Sequence, residues 1–135
     1  MKKPNECYAY FCVKGSFHPD QITERVGMKP TKSYLEGDPM PKTAIPYKCS
    51  LWALYSRLDR TSSLEQHILD VLEQLDTNKR AFELLSQELD GRLELVGYFH
   101  DSYPGLVFDR AVVQRLAQYS LWVDFDFYDF ATEAE

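Results

Sequence analysis

The chain has 135 residues, 44% of them hydrophobic and 27% charged, with a formal net charge of −6. That length builds one domain with a real core, and the composition is that of an ordinary folded chain rather than a disordered one. The negative charge argues against nucleic-acid phosphate or an anionic membrane surface as partner, since each would need a basic face. No run approaches the ~20 apolar residues of a membrane helix.

The stretch before Cys7 lacks the apolar run of a secretory signal. Cys7 to Val13 reads as a strand, with Cys7, Ala9, Phe11 and Val13 on one face and Tyr8, Tyr10 and Cys12 on the other. Both faces are apolar or aromatic, which suits a central strand. The chain has three cysteines. Cys7 and Cys12 on one strand would sit roughly 16 Å apart, too far for a disulfide. Only Cys49 could partner either, so a reducing, cytoplasmic setting is expected.

Phe17-His18-Pro19-Asp20 opens a short helix. Pro19 suits the first helical position, and Asp20 places a carboxylate at the positive end of the helix dipole. Ile22 and Val26 form its buried pair, and Gly27 closes it. Met28 to Pro46 has no periodic pattern and holds five prolines or glycines, Pro30, Gly37, Pro39, Pro41 and Pro46, together with Lys29, Lys32 and Lys42. It reads as a long loop. Tyr47 to Ser56 is a second strand, with Trp52, Leu54 and Ser56 on one face and Leu51, Ala53 and Tyr55 on the other.

The longest helical signal runs from Ser62 to Gly91. Leu64, Ile68, Val71, Leu72 and Leu75 recur on a 3.6-residue period, and Ser62 and Glu65 have the spacing of a capping box. After Asp76-Thr77-Asn78 a second helix carries Phe82, Leu85 and Leu89, with Gly91 placed to end it. Arg92 to Phe99 is a third strand, with Leu93, Leu95 and Phe99 on one face. His100 to Gly105 is a turn-rich link, and Leu106 to Phe108 a short fourth strand. Asp109 caps a helix bearing Val112, Val113, Leu116 and Ala117. Leu121 to Tyr128 is the last strand. Leu121, Val123, Phe125 and Phe127 alternate inward, with Trp122, Asp124, Asp126 and Tyr128 outward. Asp124, Asp126, Asp129, Glu133 and Glu135 make the C-terminal end strongly acidic.

Two strand–helix–strand units joined by helices point to an α+β, ferredoxin-like sandwich. Its sheet would be mostly antiparallel, of four or five strands, with helices packed on one face. The ordered series Phe17-His18-Pro19-Asp20-Gln21-Ile22-Thr23, Gly27, Pro30, Gly37, Leu51-Trp52-Ala53-Leu54-Tyr55-Ser56, Leu64-Glu65-Gln66-His67-Ile68, Pro104-Gly105-Leu106 and Phe125-Asp126-Phe127-Tyr128 spans nearly the whole chain. It resembles the bacterial family known as domain of unknown function 4279. The chain departs from that pattern at His18, where the family has an acidic residue before the proline. The resemblance implies a small bacterial cytoplasmic protein and brings no catalytic residues with it.

Three groups could carry chemistry. In a ferredoxin-like sheet the first and third strands are adjacent and parallel. That would bring His18, Asp20, His100 and Asp101 to one edge, where they could hold a divalent metal or share a proton. His67 lies one turn from Leu64, at the border of the apolar stripe, where a ring nitrogen would take a backbone or carboxylate partner. Asp124 and Asp126 stand two apart on an outward strand face, as carboxylates that could split their acidities or simply keep an edge charged. No nucleophile motif is present, and the aromatic sheet (Tyr8, Tyr10, Trp52, Tyr55, Tyr98) lacks the basic signature of an RNA platform. The sequence therefore favours a non-enzymatic, immunity-like or regulatory binding module without cofactor. Its partner would be a protein with a basic surface, and its contact residues Tyr34, Trp52, Trp122, Asp124 and Asp126. The alternative is a small metal- or ligand-binding protein or enzyme built on the histidine–aspartate edge. Either a monomer or a homodimer formed by sheet extension is compatible with it.

Overall fold

The computed structural model describes residues 3–130; Glu133 and Glu135 of the acidic C-terminal end lie outside them. The elements are β1 (Glu6–Gly15), α1 (Pro19–Val26), β2 (Lys32–Tyr34), β3 (Ser50–Tyr55), α2 (Leu64–Asp76), α3 (Lys79–Leu89), β4 (Arg92–Phe99), α4 (Arg110–Gln118) and β5 (Trp122–Asp129). The strands form one five-stranded sheet in the order β2-β3-β1-β4-β5. β1 pairs antiparallel with β3 and β4, β2 antiparallel with β3, and β4 parallel with β5. The parallel pair is possible because α4 carries the chain back across the sheet. This is an open, mixed α+β sheet covered by helices on one side.

Sequence alternation decides which side. Ala9, Phe11, Val13, Trp52, Leu54, Leu93, Leu95 and Phe99 share one core with Ile22 and Val26 of α1, the α2 stripe, Phe82 and Leu85 of α3, and Leu116 at the end of α4. The buried large side chains each contribute about 1.5–3 kcal/mol. Phe11, Trp52 and Phe82 meet edge-on or tilted, with centroids 5.6–6.4 Å apart. The helix-side position between Leu95 and Phe99 is Gly97. A Cβ there would come within 2.4 Å of the Phe99 ring, which is itself 1% exposed. Gly97→Ala is therefore expected to cost about 1–3 kcal/mol through overpacking, read as a fall in the urea midpoint at unchanged slope.

Several local expectations shift by a residue or fail. The capping box belongs to Ser63 and Gln66, not to Ser62 and Glu65, and both of its reciprocal bonds are formed. α3 ends on Asp90 in the left-handed region, φ 53°, one residue before Gly91. Leu106–Phe108 is not a strand, because β5 pairs directly with β4 and leaves that segment no ladder to join. The Met28–Pro46 stretch holds β2 and a Pro39–Pro46 bridge. Its pairing partner, β3, lies too far along the chain for a local pattern to reveal it.

The ferredoxin-like plan would make β1 and β4 parallel, and here they are antiparallel. This single difference removes the histidine–aspartate edge. Glu6 at the start of β1 lies opposite Tyr98 near the end of β4. His18 follows the far end of β1, so His18 and His100 lie at opposite ends of the sheet. His18 caps α1, its Nδ1 accepting the Asp20 backbone N–H at 3.2 Å. The His100 ring stacks on Phe130, and its backbone N–H donates to the Asn5 side-chain oxygen. His18, Asp20, His100 and Asp101 thus do not converge. Among the described residues no group of three or more His, Cys, Asp or Glu side chains is placed to hold a metal ion.

Candidate functional site

The face opposite the helices follows from register. Opposed pairs place Tyr10 and Tyr55 side by side, then Glu94 and Asp124; Tyr8, Val96 and Asp126 form the next row, and Glu6, Tyr98 and Tyr128 the next. In the other direction lie Lys32, Ala53, Cys12, Arg92 and Trp122, then Tyr34, Leu51 and Lys14. An antiparallel sheet with one wet face ordinarily alternates core residues with small polar or charged ones. Here six of those outward positions, Tyr8, Tyr10, Tyr34, Tyr55, Tyr98 and Tyr128, are tyrosines.

The rings lie flat in stacks. Tyr10 and Tyr55 have centroids 4.4 Å apart and planes within 6°. Tyr8 extends the stack at 5.8 Å from Tyr55, and Arg60 sits 4.7 Å over the Tyr8 ring as a cation–π contact. Tyr34 stacks on Tyr47 at 3.7 Å and Tyr98 on Tyr128 at 5.3 Å. Beneath them Cys12, Leu51 and Ala53 form a second, small apolar cluster to which no helix residue contributes. Burial, helped by the neighbouring Tyr98 and Tyr55, pushes the Tyr8 hydroxyl up to about 12. Burial and the Glu94 carboxylate push the Cys12 thiol up to about 11. Both stay neutral near pH 7, so the face presents phenols as hydrogen-bonding groups and no activated thiolate.

Its charges are unevenly spread. Lys14, Lys32 and Arg92 lie toward one end, and Glu6, Glu94, Asp124 and Asp126 toward the other; Arg92 Nη1 comes within 4.0 Å of Glu94 Oε1 where they meet, and Arg60 over Tyr8 is the cation at the acidic end. Glu94 is 9% exposed. Burial, then its hydrogen bond to the Asp124 carboxylate, raises its pKa. Two carboxylates placed side by side make a spot where an approaching cation would be welcome.

Four of the five expected contact residues, Tyr34, Trp122, Asp124 and Asp126, lie on this one face. Trp52 does not. It is fully buried on the helix side, its Nε1 donating to Thr23 Oγ1 at 3.0 Å. Its parity with Leu54 within β3 is the signal that places it there. Tyr8, Tyr10, Tyr55, Tyr98 and Glu94 complete the face; the period-2 pattern groups Tyr8 with Tyr10 on one strand face but does not say which face is open.

A serine–histidine pair on the other side merits description. His67 is fully buried, and its Nδ1 lies 2.6 Å from Ser56 Oγ. In nucleophilic dyads a third group orients the far ring nitrogen. Here Nε2 is buried without a formed hydrogen bond. Burial lowers the His67 pKa, with the Asp59 backbone a partial offset. The ring stays neutral and anchors α2 to the end of β3.

Residues 5–130 match the family described as Domain of unknown function (DUF4279). The chain belongs to that family. No curated protein and no solved structure matches it. Among the described residues no helix of this DUF4279 domain is long and apolar enough to cross a membrane.

Proposed function

We propose that this DUF4279 domain is a non-enzymatic binding module that engages a protein through its open sheet face. The observation that carries the reading is the uncovered tyrosine platform, with all helices packed on the opposite side. Stacked, half-buried tyrosines offer large contact area at small entropic cost, and aromatic residues are enriched where proteins meet. The carboxylates at one end of the face suit a basic partner. An immunity-like or regulatory role, in which an acidic module masks a basic protein, fits this chemistry. The cysteines Cys7, Cys12 and Cys49 are all free, which suits action in the cytoplasm.

Photo-crosslinking groups placed at Tyr34 or Tyr55 in living cells of the native host test the reading. They should give discrete protein adducts. The same groups at Leu69 and Val113, which are 44% and 51% exposed, should give few. Asp124→Asn combined with Asp126→Asn should lower adduct yield several-fold without lowering Tm, since both side chains are exposed and the change removes a negative charge beside Glu94. Adducts only from Leu69 and Val113 would remove the open face from consideration.

A further inference from the structure

The sheet has two ends of different character. β2 is three residues long, a short edge of the kind that resists further pairing. β5 is eight residues long and has no strand beyond it among the described residues. Two hydrogen bonds set its polarity. The Trp122 N–H donates to the Gly91 carbonyl at 3.0 Å, and the Phe130 N–H to the Phe99 carbonyl at 2.8 Å. Backbone direction alternates along a strand. The even-numbered residues from 122 to 130 therefore turn their backbone groups toward β4, and Val123, Phe125 and Phe127 turn theirs outward.

The side chains along this edge alternate as well. Toward the helices, Phe125 is 50% exposed and Val107 of the adjoining segment 67% exposed. Leu106, Phe108 and Phe125 line a shallow depression of about 240 Å³. Toward the open face stand Asp124 and Asp126, flanked by Trp122 and Tyr128, which are 64% and 43% exposed. A strand added here would need apolar residues at one parity and basic residues at the other. A second copy of this chain does not meet that need. Antiparallel self-pairing centred on Phe125 would set Asp124 against Asp126 twice, and like charges facing across strands are destabilising.

We propose that the free edge of β5 binds an extended segment of a basic partner as a sixth strand, pairing its backbone with Val123, Phe125 and Phe127. Alternate cationic side chains of that segment meet Asp124 and Asp126, and the intervening apolar ones cover Phe125 and the Leu106–Phe108 depression. This is strand addition, in which main-chain bonds give affinity and alternate side chains give selectivity. It rests on the protein-binding reading above and names the partner's local chemistry.

The test uses the full chain and a strand-length peptide alternating lysine and valine. Its controls are an isomer with the same residues in two blocks and a glutamate–valine version. Backbone amide exchange is followed by NMR. The alternating basic peptide should bind at least about tenfold tighter than either control. It should slow exchange at Val123, Phe125 and Phe127, leaving the even-numbered β5 amides unchanged. Phe125→Pro should abolish binding, because it deletes an outward N–H and spares the β4 ladder. The amide pattern of the wild-type protein decides the matter without that variant, should it fold poorly. Equal binding of alternating and block peptides would reduce the effect to charge attraction and overturn the proposal. So would dimerisation through β5, or the absence of binding at about 1 mM peptide. Perturbation confined to the tyrosine face, with β5 amides unchanged, would overturn the edge while leaving the open-face reading standing. Loss of the Tyr34 and Tyr55 crosslinks would instead remove that broader reading.

Discussion

Trp52→Ala is expected to destabilise the protein by about 3–5 kcal/mol, whereas Trp122→Ala should change stability by no more than about 0.5 kcal/mol. Both residues are tryptophans on strands, and they are the only two in the chain. Their surroundings differ completely. Trp52 is fully buried against Phe11 and Phe82, with its indole N–H bonded to Thr23. Truncation removes the ring's contacts, leaves a cavity between α1, α3 and the sheet, and removes the indole donor from the Thr23 hydroxyl. Trp122 is 64% exposed at the start of β5, and losing it empties nothing. For a domain of this size the Trp52 loss corresponds to a fall in Tm of roughly 10–20 °C. Fluorescence separates the two: a Trp122→Phe protein, reporting Trp52 alone, should emit at the blue end and resist acrylamide quenching. A Trp52→Ala cost near that of Trp122→Ala would mean that the packing described around β3 is wrong.

This pair shows what kind of information the sequence carries. Parity within a strand is local, so it assigns side chains to faces reliably. It set Tyr8 and Tyr10 opposite Phe11, and Trp122, Asp124 and Asp126 opposite Phe125. It also grouped Trp52 with Leu54, and reading Trp52 as a contact residue went against that grouping. Strand direction is different, because no residue encodes it. Whether β4 runs with or against β1 depends on how α2 and α3 return the chain. The histidine–aspartate edge, which required the parallel choice, fell with it. The β2 pairing was hidden for the same reason, since Lys32–Tyr34 has no periodicity of its own. The candidate face was thus legible strand by strand as groups of same-side residues, with only the last strand's marked outward, and the structure adds which groups face away from the helices and how they adjoin, above all Glu94 beside Asp124 across β4 and β5.

The second large effect lies in a polar cluster that no pattern announced. Asp70 falls on the polar flank of the α2 stripe, yet its side chain is only 9% exposed. It accepts the Arg57 backbone N–H at 2.8 Å, the Arg57 guanidinium at 2.8 Å and Gln74 Nε2 at 3.1 Å. Gln74 in turn donates to the Tyr55 carbonyl at 3.0 Å. The cluster ties α2 to the end of β3, and so fixes the strand that carries Tyr55 on the open face. Asp70→Ala should therefore cost about 2–3 kcal/mol, because it leaves a backbone N–H and a buried amide without their acceptor. The guanidinium is 58% exposed, so charge attraction itself adds little once water screens it. Burial pushes the Asp70 carboxyl up, but the Arg57 hydrogen bonds and charge, with Gln74, outweigh it and hold its pKa below the ordinary value. The sign for pH follows. A carboxyl that is more acidic folded than unfolded contributes fully above its unfolded value of about 3.9. That contribution is lost as pH falls through the lower folded value. His67, whose pKa is also lowered, removes stability starting below about pH 6.5, and it removes somewhat less when Asp70 is ionised, because that charge favours the imidazolium. Urea unfolding of wild type and Asp70→Asn across pH should therefore give curves whose gap does not shrink from pH 7 down to about 4 and closes only at more acid pH. A gap that closed already between pH 7 and 5 would mean that Asp70 takes up its proton well above the ordinary carboxylate range, and would overturn the assignment. A gap that never closed would show that Asp70 acts through shape and not through its charge.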